Sequence, residues 1–260
     1  MIDELGERMK SRYENRTRYY LPRRTYTIIR IDGKAFHSYT RGCNRPFDNC
    51  FIECMDRTGV FLAENIQGTR FCFVQSDEIS LVLTDFESNQ TDAWYDGNLQ
   101  KIVSVSASLA TMSFNKSAEI LGLDPEATFD ARAFTIPDRE EVMNYFVWRQ
   151  QDATRNSIQA VAQSYYSPKE LHGKNSDELQ EMIHKKGKNW NDYEPKYKRG
   201  RAIIKHFVFG GANQNARSNF WVVDYGTPIF TQNRDYLGKR ILYPVYDEKP
   251  MVTVVGMPHP

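Results

Sequence analysis

Cysteine, histidine, net charge and long apolar runs are all scarce in this chain of 260 residues. The four cysteines, Cys43, Cys50, Cys54 and Cys72, form no C-x-x-C pair, and the five histidines are scattered. That excludes the usual ligand spacing of a structural zinc site. Cys50 and Cys54, four apart in a helical pattern, read as small apolar residues. No stretch approaches the ~20 consecutive apolar residues a membrane-spanning helix needs. The opening Met1-Ile2-Asp3-Glu4-Leu5-Gly6-Glu7-Arg8 has no apolar signal-peptide core. A cytoplasmic protein with no membrane partner is therefore expected. Lys and Arg number 34 against 33 Asp and Glu, so a polyanionic partner has to be met by a local basic patch rather than by bulk charge.

What is present is enough apolar and aromatic content, 40% and 13%, to fold rather than stay disordered. Tyr26-Thr27-Ile28-Ile29-Arg30-Ile31 is a β-branched run ended by the turn dipeptide Asp32-Gly33. Phe47, Cys50, Phe51, Cys54, Met55, Thr58 and Leu62 then recur at helical spacing. Two strand-like runs, Arg70 to Val74 and Ile79 to Leu83, are separated only by Gln75-Ser76-Asp77-Glu78, which predicts a hairpin with Asp77 at its tip. A second helix follows, its inner face traced by Leu99, Ile102, Val103, Ser106, Leu109, Ala110 and Ser113. Residues 131–136 read as a strand, and Asp138 with Glu141 opens a further helix.

The order β-α-β-β-α-β predicts an α+β fold, a ferredoxin-like antiparallel sheet with helices on one face. We divide the chain into a domain over 1–165 that carries this sheet and a helical, basic and mixed C-terminal elaboration over 166–260. Ser167-Pro168-Lys169-Glu170 marks a helix start within that elaboration. The apolar runs after Gly200 predict strands whose positions the pattern leaves open.

In this topology the first strand lies beside the third and antiparallel to it, which brings Asp32 and Asp77 together. Two carboxylates at one sheet edge repel unless a cation lies between them, and hard oxygen donors suit Mg²⁺. A pair of such ions serves in-line phosphoryl displacement. After Asp32, the turn Gly33-Lys34-Ala35-Phe36-His37 offers backbone N–H groups to a triphosphate, with Lys34 and Arg45 as nearby charges.

Four motifs carry a resemblance: Arg30-Ile31-Asp32-Gly33-Lys34-Ala35-Phe36-His37, Gln75-Ser76-Asp77-Glu78, Tyr145-Phe146-Val147-Trp148-Arg149-Gln150-Gln151-Asp152 and Tyr197-Lys198-Arg199-Gly200. In that order and separation they resemble the tRNA-histidine guanylyltransferase superfamily, over roughly Leu5 to His206. The resemblance implies a polymerase-like palm that adds nucleotides to the 5′ end of tRNA. It implies Asp32 and Asp77 as catalytic residues carrying two Mg²⁺ ions, with the Gly33 carbonyl as a further ligand. It implies a nucleotide site built from Asp32, Gly33, Lys34, Ala35, Phe36, His37, Arg45, Ser76 and Asp77, with ATP as activator and GTP or another nucleoside triphosphate as the unit added. A homotetramer is the implied assembly.

Tyrosine and tryptophan interleave with lysine and arginine from His184 to Lys205, which suits phosphate contact with base stacking. The RNA-binding residues expected are Arg149, Asn156, Lys185, Lys186, Lys188, Lys198 and Arg199. Members acting on tRNA-histidine carry a His-Ile-Asn-Asn run where this chain reads Thr154-Arg155-Asn156-Ser157. The pattern is similar to the guanylyltransferase-like branch, which implies templated repair of truncated 5′ ends. A non-catalytic RNA-binding module and a palm-type nucleotide cyclase are the competing readings of the same fold.

Overall fold

The computed structural model describes residues 4–209 and 217–242; the parts of the expected C-terminal elaboration over 210–216 and 243–260 lie outside them. After the polar helix α1 (Glu4–Arg12) comes β1 (Tyr26–Gly33), which outlasts its β-branched run because Asp32 and Gly33 still pair with a neighbouring strand. Next are the single turn α2 (Phe36–Tyr39), α3 (Asn49–Asn65), β2 (Thr69–Gln75), β3 (Glu78–Leu83), α4 (Leu99–Leu121), β4 (Phe129–Ile136) and α5 (Arg139–Gln163). Three short helices, α6 (Pro168–Leu171), α7 (Ser176–Lys185) and α8 (Pro195–Lys198), precede β5 (Arg201–Phe209), β6 (Arg217–Asp224) and α9 (Arg234–Leu242).

Polar side chains set the helix starts. Asp48 accepts from the Phe51 N–H at 3.0 Å and Asp138 from the Glu141 N–H at 3.0 Å, each cap contributing about 1 kcal/mol. Ser167 and Glu170 close the predicted capping box on α6.

The strands form one antiparallel sheet in the order β4-β1-β3-β2-β5-β6. The first four strands are the expected ferredoxin-like set. β5 and β6 are the strands predicted after Gly200, and β5 joins the sheet beside β2.

Helices α3 and α4 share one face, where Met55, Leu62, Ile102 and Phe114 pack on Ile29, Ile31, Val74 and Leu81. The additional helix α5, with α9, covers the opposite face, where Val142, Phe146 and Leu237 pack on Ile28, Phe71, Phe73 and Val82. The sheet is thus covered on both sides, and β3 is buried at every position; burial on both faces is the reason β2 and β3 read as continuous apolar runs. At Gly59 of α3 a Cβ would lie 2.4 Å from Ile203, so the missing side chain lets the helix settle onto the sheet. A smaller cluster of Ile158, Val161, Leu171, Leu179 and Ile183 fixes α6 and α7 against the far end of α5.

Candidate active site

The antiparallel pairing of β1 with β3 sets Asp32 opposite Glu78, so Asp32 lies beside the β2–β3 turn. Only Ser76 and Asp77 separate the paired residues Gln75 and Glu78, and Ser76 takes a left-handed φ of 46°, as tight hairpin turns require. The Gly33 N–H donates to the Asp77 carbonyl at 3.0 Å. Burial pushes the Asp77 carboxyl above the usual aspartate range, and the charges of Asp32 and Glu78 add to that, against the Ser76 hydroxyl and a main-chain N–H. Asp32 keeps a third of its side-chain exposure, with Arg132 Nη2 3.9 Å from its carboxylate.

Among the described residues no three His, Cys, Asp or Glu side chains converge as a metal-ligating group. The edge instead offers two carboxylates, one of them disfavoured as a bare anion, together with main-chain oxygen. That donor set fits Mg²⁺, which retains waters and completes its octahedron with substrate phosphates.

Beyond Asp32 the Lys34 N–H donates to the Thr128 carbonyl at 2.9 Å and Ala35 is left-handed, φ 56°. Lys34, Ala35 and His37 are exposed at this turn. Phe36 is not: it is 4% exposed and packs among Tyr39, Phe51, Phe114 and Phe129. Its ring is therefore core, and its main chain is the part that can meet a nucleotide.

Next to the Ser76–Asp77 turn lies a cavity of about 340 Å³ lined by Asn44, Arg45, Phe47, Ser76, Asn156 and Tyr197, among others, with none of Asp32 to His37 in its wall. Asp48 shapes its wall, accepting from the Asn44 main-chain N–H at 2.9 Å and the Asn44 side chain at 3.0 Å. Burial alone would raise the Asp48 carboxyl, but the N–H groups of Asn44, Phe51 and Cys50 hold it below the usual range. Phe47 stacks on Tyr197 at 4.9 Å. The structure thus brings Arg45, Ser76 and Asn156 to one concavity beside the Asp32–Asp77 edge, and its size suits a small ligand.

The expected RNA-binding residues divide. Lys185, Lys186 and Lys188 are exposed at the end of α7, with Lys186 Nζ 4.9 Å from the Tyr166 ring. Lys198 donates to the Asn191 carbonyl at 2.6 Å and lies over Trp190, and both Lys198 and Arg199 are half-buried. Asn156 faces the cavity, its amide 3.4 Å from Gln75 Oε1. Arg149 is 5% exposed and forms a two-pronged ion pair with Glu78 at 2.7 and 2.6 Å. An RNA contact by Arg149 is thereby corrected: the side chain is buried, and its Nε and Nη2 donate inside the protein.

Sequence reasoning gave no site role to Arg30, Glu78 and Trp148, although its motifs contain all three, and passed over Arg132. Arg30 lies two residues before Asp32 on the same strand face; it pairs across with Arg132, and its Nε is buried without a hydrogen-bond partner. Trp148 stays 46% exposed nearby on α5. Strand alternation from Asp32 was the signal that could have found Arg30.

Comparison with known proteins decides the family. The family model described as "Thg1: tRNAHis guanylyltransferase" matches residues 6–137, half of the chain and the part that carries both carboxylates. The chain belongs to the tRNAHis guanylyltransferase family. It is accordingly a nucleotidyltransferase. Among curated relatives, the tRNA(His) guanylyltransferase of Schizosaccharomyces pombe is 29% identical over 75% of this chain and 81% of that protein. An uncharacterised protein of Acanthamoeba polyphaga mimivirus, R259, is 28% identical over 70% of each. Among solved structures, a bacterial guanylyltransferase (Thg1)-like protein in complex with ATP superposes with a TM-score of 0.82 at 44% identity, over 92% of this chain and 100% of that one. A bacterial guanylyltransferase (Thg1)-like protein in complex with GTP gives 0.79 at 43% identity and the same coverage. These matches agree with the palm-like fold and leave no room for a purely non-catalytic RNA-binding module.

Proposed function

We propose that this protein extends the 5′ end of tRNA in the 3′-to-5′ direction, pairing each added nucleotide against the opposite strand, and so repairs truncated 5′ ends. Guanylate addition to tRNA-histidine would be one instance of that reaction. The observation that carries the reading is the Asp32–Asp77 edge beside a cavity of nucleoside size lined by Ser76 and Arg45. The ATP and GTP complexes of the bacterial relatives support nucleoside triphosphates as ligands here.

In the activation step an oxygen of the RNA 5′-monophosphate attacks the α-phosphorus of ATP, forming a P–O–P linkage and releasing pyrophosphate. In the transfer step the 3′-hydroxyl of an incoming triphosphate attacks the RNA 5′-phosphorus. A new phosphodiester forms, AMP leaves and the hydroxyl proton passes to solvent. Asp32, Asp77 and the Gly33 carbonyl would hold two Mg²⁺ ions, whose Lewis acidity activates the attacking oxygen and steadies the leaving one. The main-chain N–H groups of Ala35, Phe36 and His37 receive the triphosphate together with the charges of Lys34 and Arg45 and the Ser76 hydroxyl, the Gly33 and Lys34 N–H groups being engaged by the Asp77 and Thr128 carbonyls. Arg30 and Arg132 flank Asp32 and suit a second phosphate, with the Trp148 indole as a stacking surface. Lys185, Lys186 and Lys188 extend the phosphate contact along the tRNA, and a homotetramer remains the proposed assembly.

The test is incorporation of labelled nucleotide, with Mg²⁺ and ATP, into a monophosphorylated tRNA lacking its first nucleotide, comparing native protein with Asp77→Ala. Incorporation that follows the opposing base and vanishes in the variant supports the proposal. Product formed from labelled GTP without RNA would move the reading to a cyclase.

A further inference from the structure

We propose that Arg149 is a positioning residue for the two-carboxylate edge, acting entirely through Glu78. The proposal rests on the reading of Asp32 and Asp77 as cation ligands.

Glu78 follows Asp77 directly and opens β3, opposite Asp32 on one side and Gln75 on the other. Strand alternation sends its side chain, with those of Ser80 and Val82, toward α5. There Arg149 Nε donates to Glu78 Oε1 at 2.7 Å and Nη2 to Oε2 at 2.6 Å, across 71 residues of sequence. Both side chains are less than a tenth exposed.

The clamp is itself clamped. Arg149 Nη2 also meets Asp152 at 2.7 Å, Asp152 is held by Arg155 at 2.6 Å, and the guanidinium lies 4.3 Å from the Trp148 ring centre. Ser80 Oγ donates to Glu78 Oε1 at 3.2 Å and shares a hydrogen bond with the Tyr145 hydroxyl at 2.8 Å.

Buried ion pairs contribute little net stability, since desolvation offsets their attraction, so stability alone is a weak reason for this network. Its geometry supplies a better one. Without Arg149, three adjacent carboxylates, Asp32, Asp77 and Glu78, would compete at one edge. The fork takes both Glu78 oxygens, leaving Asp32 and Asp77 as the pair open to a cation, and fixes the residue next to Asp77 so that the Ser76–Asp77 turn keeps one orientation. Groups hydrogen-bonded directly to metal ligands typically govern about 10- to 100-fold in metal affinity; Arg149 acts on Asp77 through its chain neighbour Glu78, and that range sets the scale of the effect.

The experiment uses the full chain and the charge-balanced double variant Glu78→Gln/Arg149→Met, with Arg149→Lys as the conservative partner. Mn²⁺ binding is read by calorimetry without substrate, beside thermal unfolding and tRNA affinity as a function of salt. The double variant is expected to bind Mn²⁺ about 10- to 100-fold more weakly while melting cooperatively and holding tRNA with an unchanged salt slope. Arg149→Lys keeps the charge but not the fork, and a smaller loss is expected. It carries the test alone should the double variant fail to fold. Mn²⁺ affinity equal to native in both variants overturns the proposal. So does a lower salt slope for tRNA with unchanged Mn²⁺ binding, which would return Arg149 to RNA contact. Absence of Mn²⁺ binding by the native protein overturns the two-carboxylate reading and the clamp with it.

Discussion

The Gly33 N–H donates to the Asp77 carbonyl at 3.0 Å, and this main-chain bond ties the end of β1 to the β2–β3 turn whatever the two carboxylates carry. The edge is thus preorganised by backbone, while its charge is supplied by side chains that resist being close together.

That conflict predicts opposite effects on activity and stability. Burial and neighbouring charge make ionised Asp77 unfavourable in the free protein, so Asp77→Asn should raise the melting temperature measured in chelator. For chains of this size about 1 kcal/mol corresponds to about 2–4 °C. Incorporation into tRNA should fall by at least ~10³-fold, the scale of losing a group that stabilises transition-state charge. A variant that melts lower than native in chelator would contradict the first half.

Asp48 gives the cleanest pH dependence. Its carboxyl lies below the usual range because N–H groups of Asn44, Phe51 and Cys50 outweigh the effect of burial. A depressed folded-state value means the folded protein binds this proton less readily than the unfolded chain. The stability it contributes is therefore complete above the unfolded aspartate value, near ~3.9, and is lost as pH falls through the lower folded value. Asp48→Ala should cost about 1–2 kcal/mol at neutral pH as a lost cap, and weaken nucleotide binding by loosening the cavity wall. Urea unfolding at a series of pH values should show the gap to native closing only in strong acid.

How much of this was legible in the residues depends on sequence distance. The β-α-β-β-α-β order, the hairpin at Ser76-Asp77 and the meeting of Asp32 with Asp77 follow from local period and turn chemistry. The placement of α5 on the opposite face does not, because a mixed apolar helix has no mark naming the sheet face it will cover. Arg149 reads as a surface cation until Glu78 is brought to it across 71 residues. Phe36 alone reads more readily as core, and the aromatics gathered from α3, α4 and β4 place its ring there.

Gly200 joins α8 to β5 with φ +75°, and a Cβ there would lie 2.8 Å from the Val74 carbonyl and 2.5 Å from the Phe73 ring. Gly200→Ala combines left-handed strain of about 1–2 kcal/mol with overpacking of about 1–3 kcal/mol. A total loss of about 2–5 kcal/mol in denaturant unfolding is expected. Since β5 docks on β2 through Val74↔Arg201, nucleotide binding in the adjoining cavity should weaken as well. An Ala variant as stable as native would show that the chain relaxes around the close approach.

The end of α7 carries basic charge that the internal ion pairs do not use. Lys185, Lys186 and Lys188 are exposed there, and Lys186 Nζ lies over the Tyr166 ring. If these residues meet phosphates, each one releases bound counterions, and the slope of log affinity against log salt falls by about 0.7–0.9 for every phosphate left unneutralised. Changing all three to Gln should reduce that slope by about 2–3 and weaken tRNA binding most at low salt. Stability should change little, because the side chains are exposed and what disappears is the Lys186 contact with the Tyr166 ring, about 0.5–1 kcal/mol at an exposed site, and the favourable charge at the helix C-terminus, about 0.3–1 kcal/mol. Binding measured from about 50 to 200 mM salt, roughly the range over which phosphate-driven affinity collapses, decides the matter. An unchanged slope would place the tRNA on the Arg30–Arg132 side of the edge instead, where neutralising Arg132 should then produce the missing change.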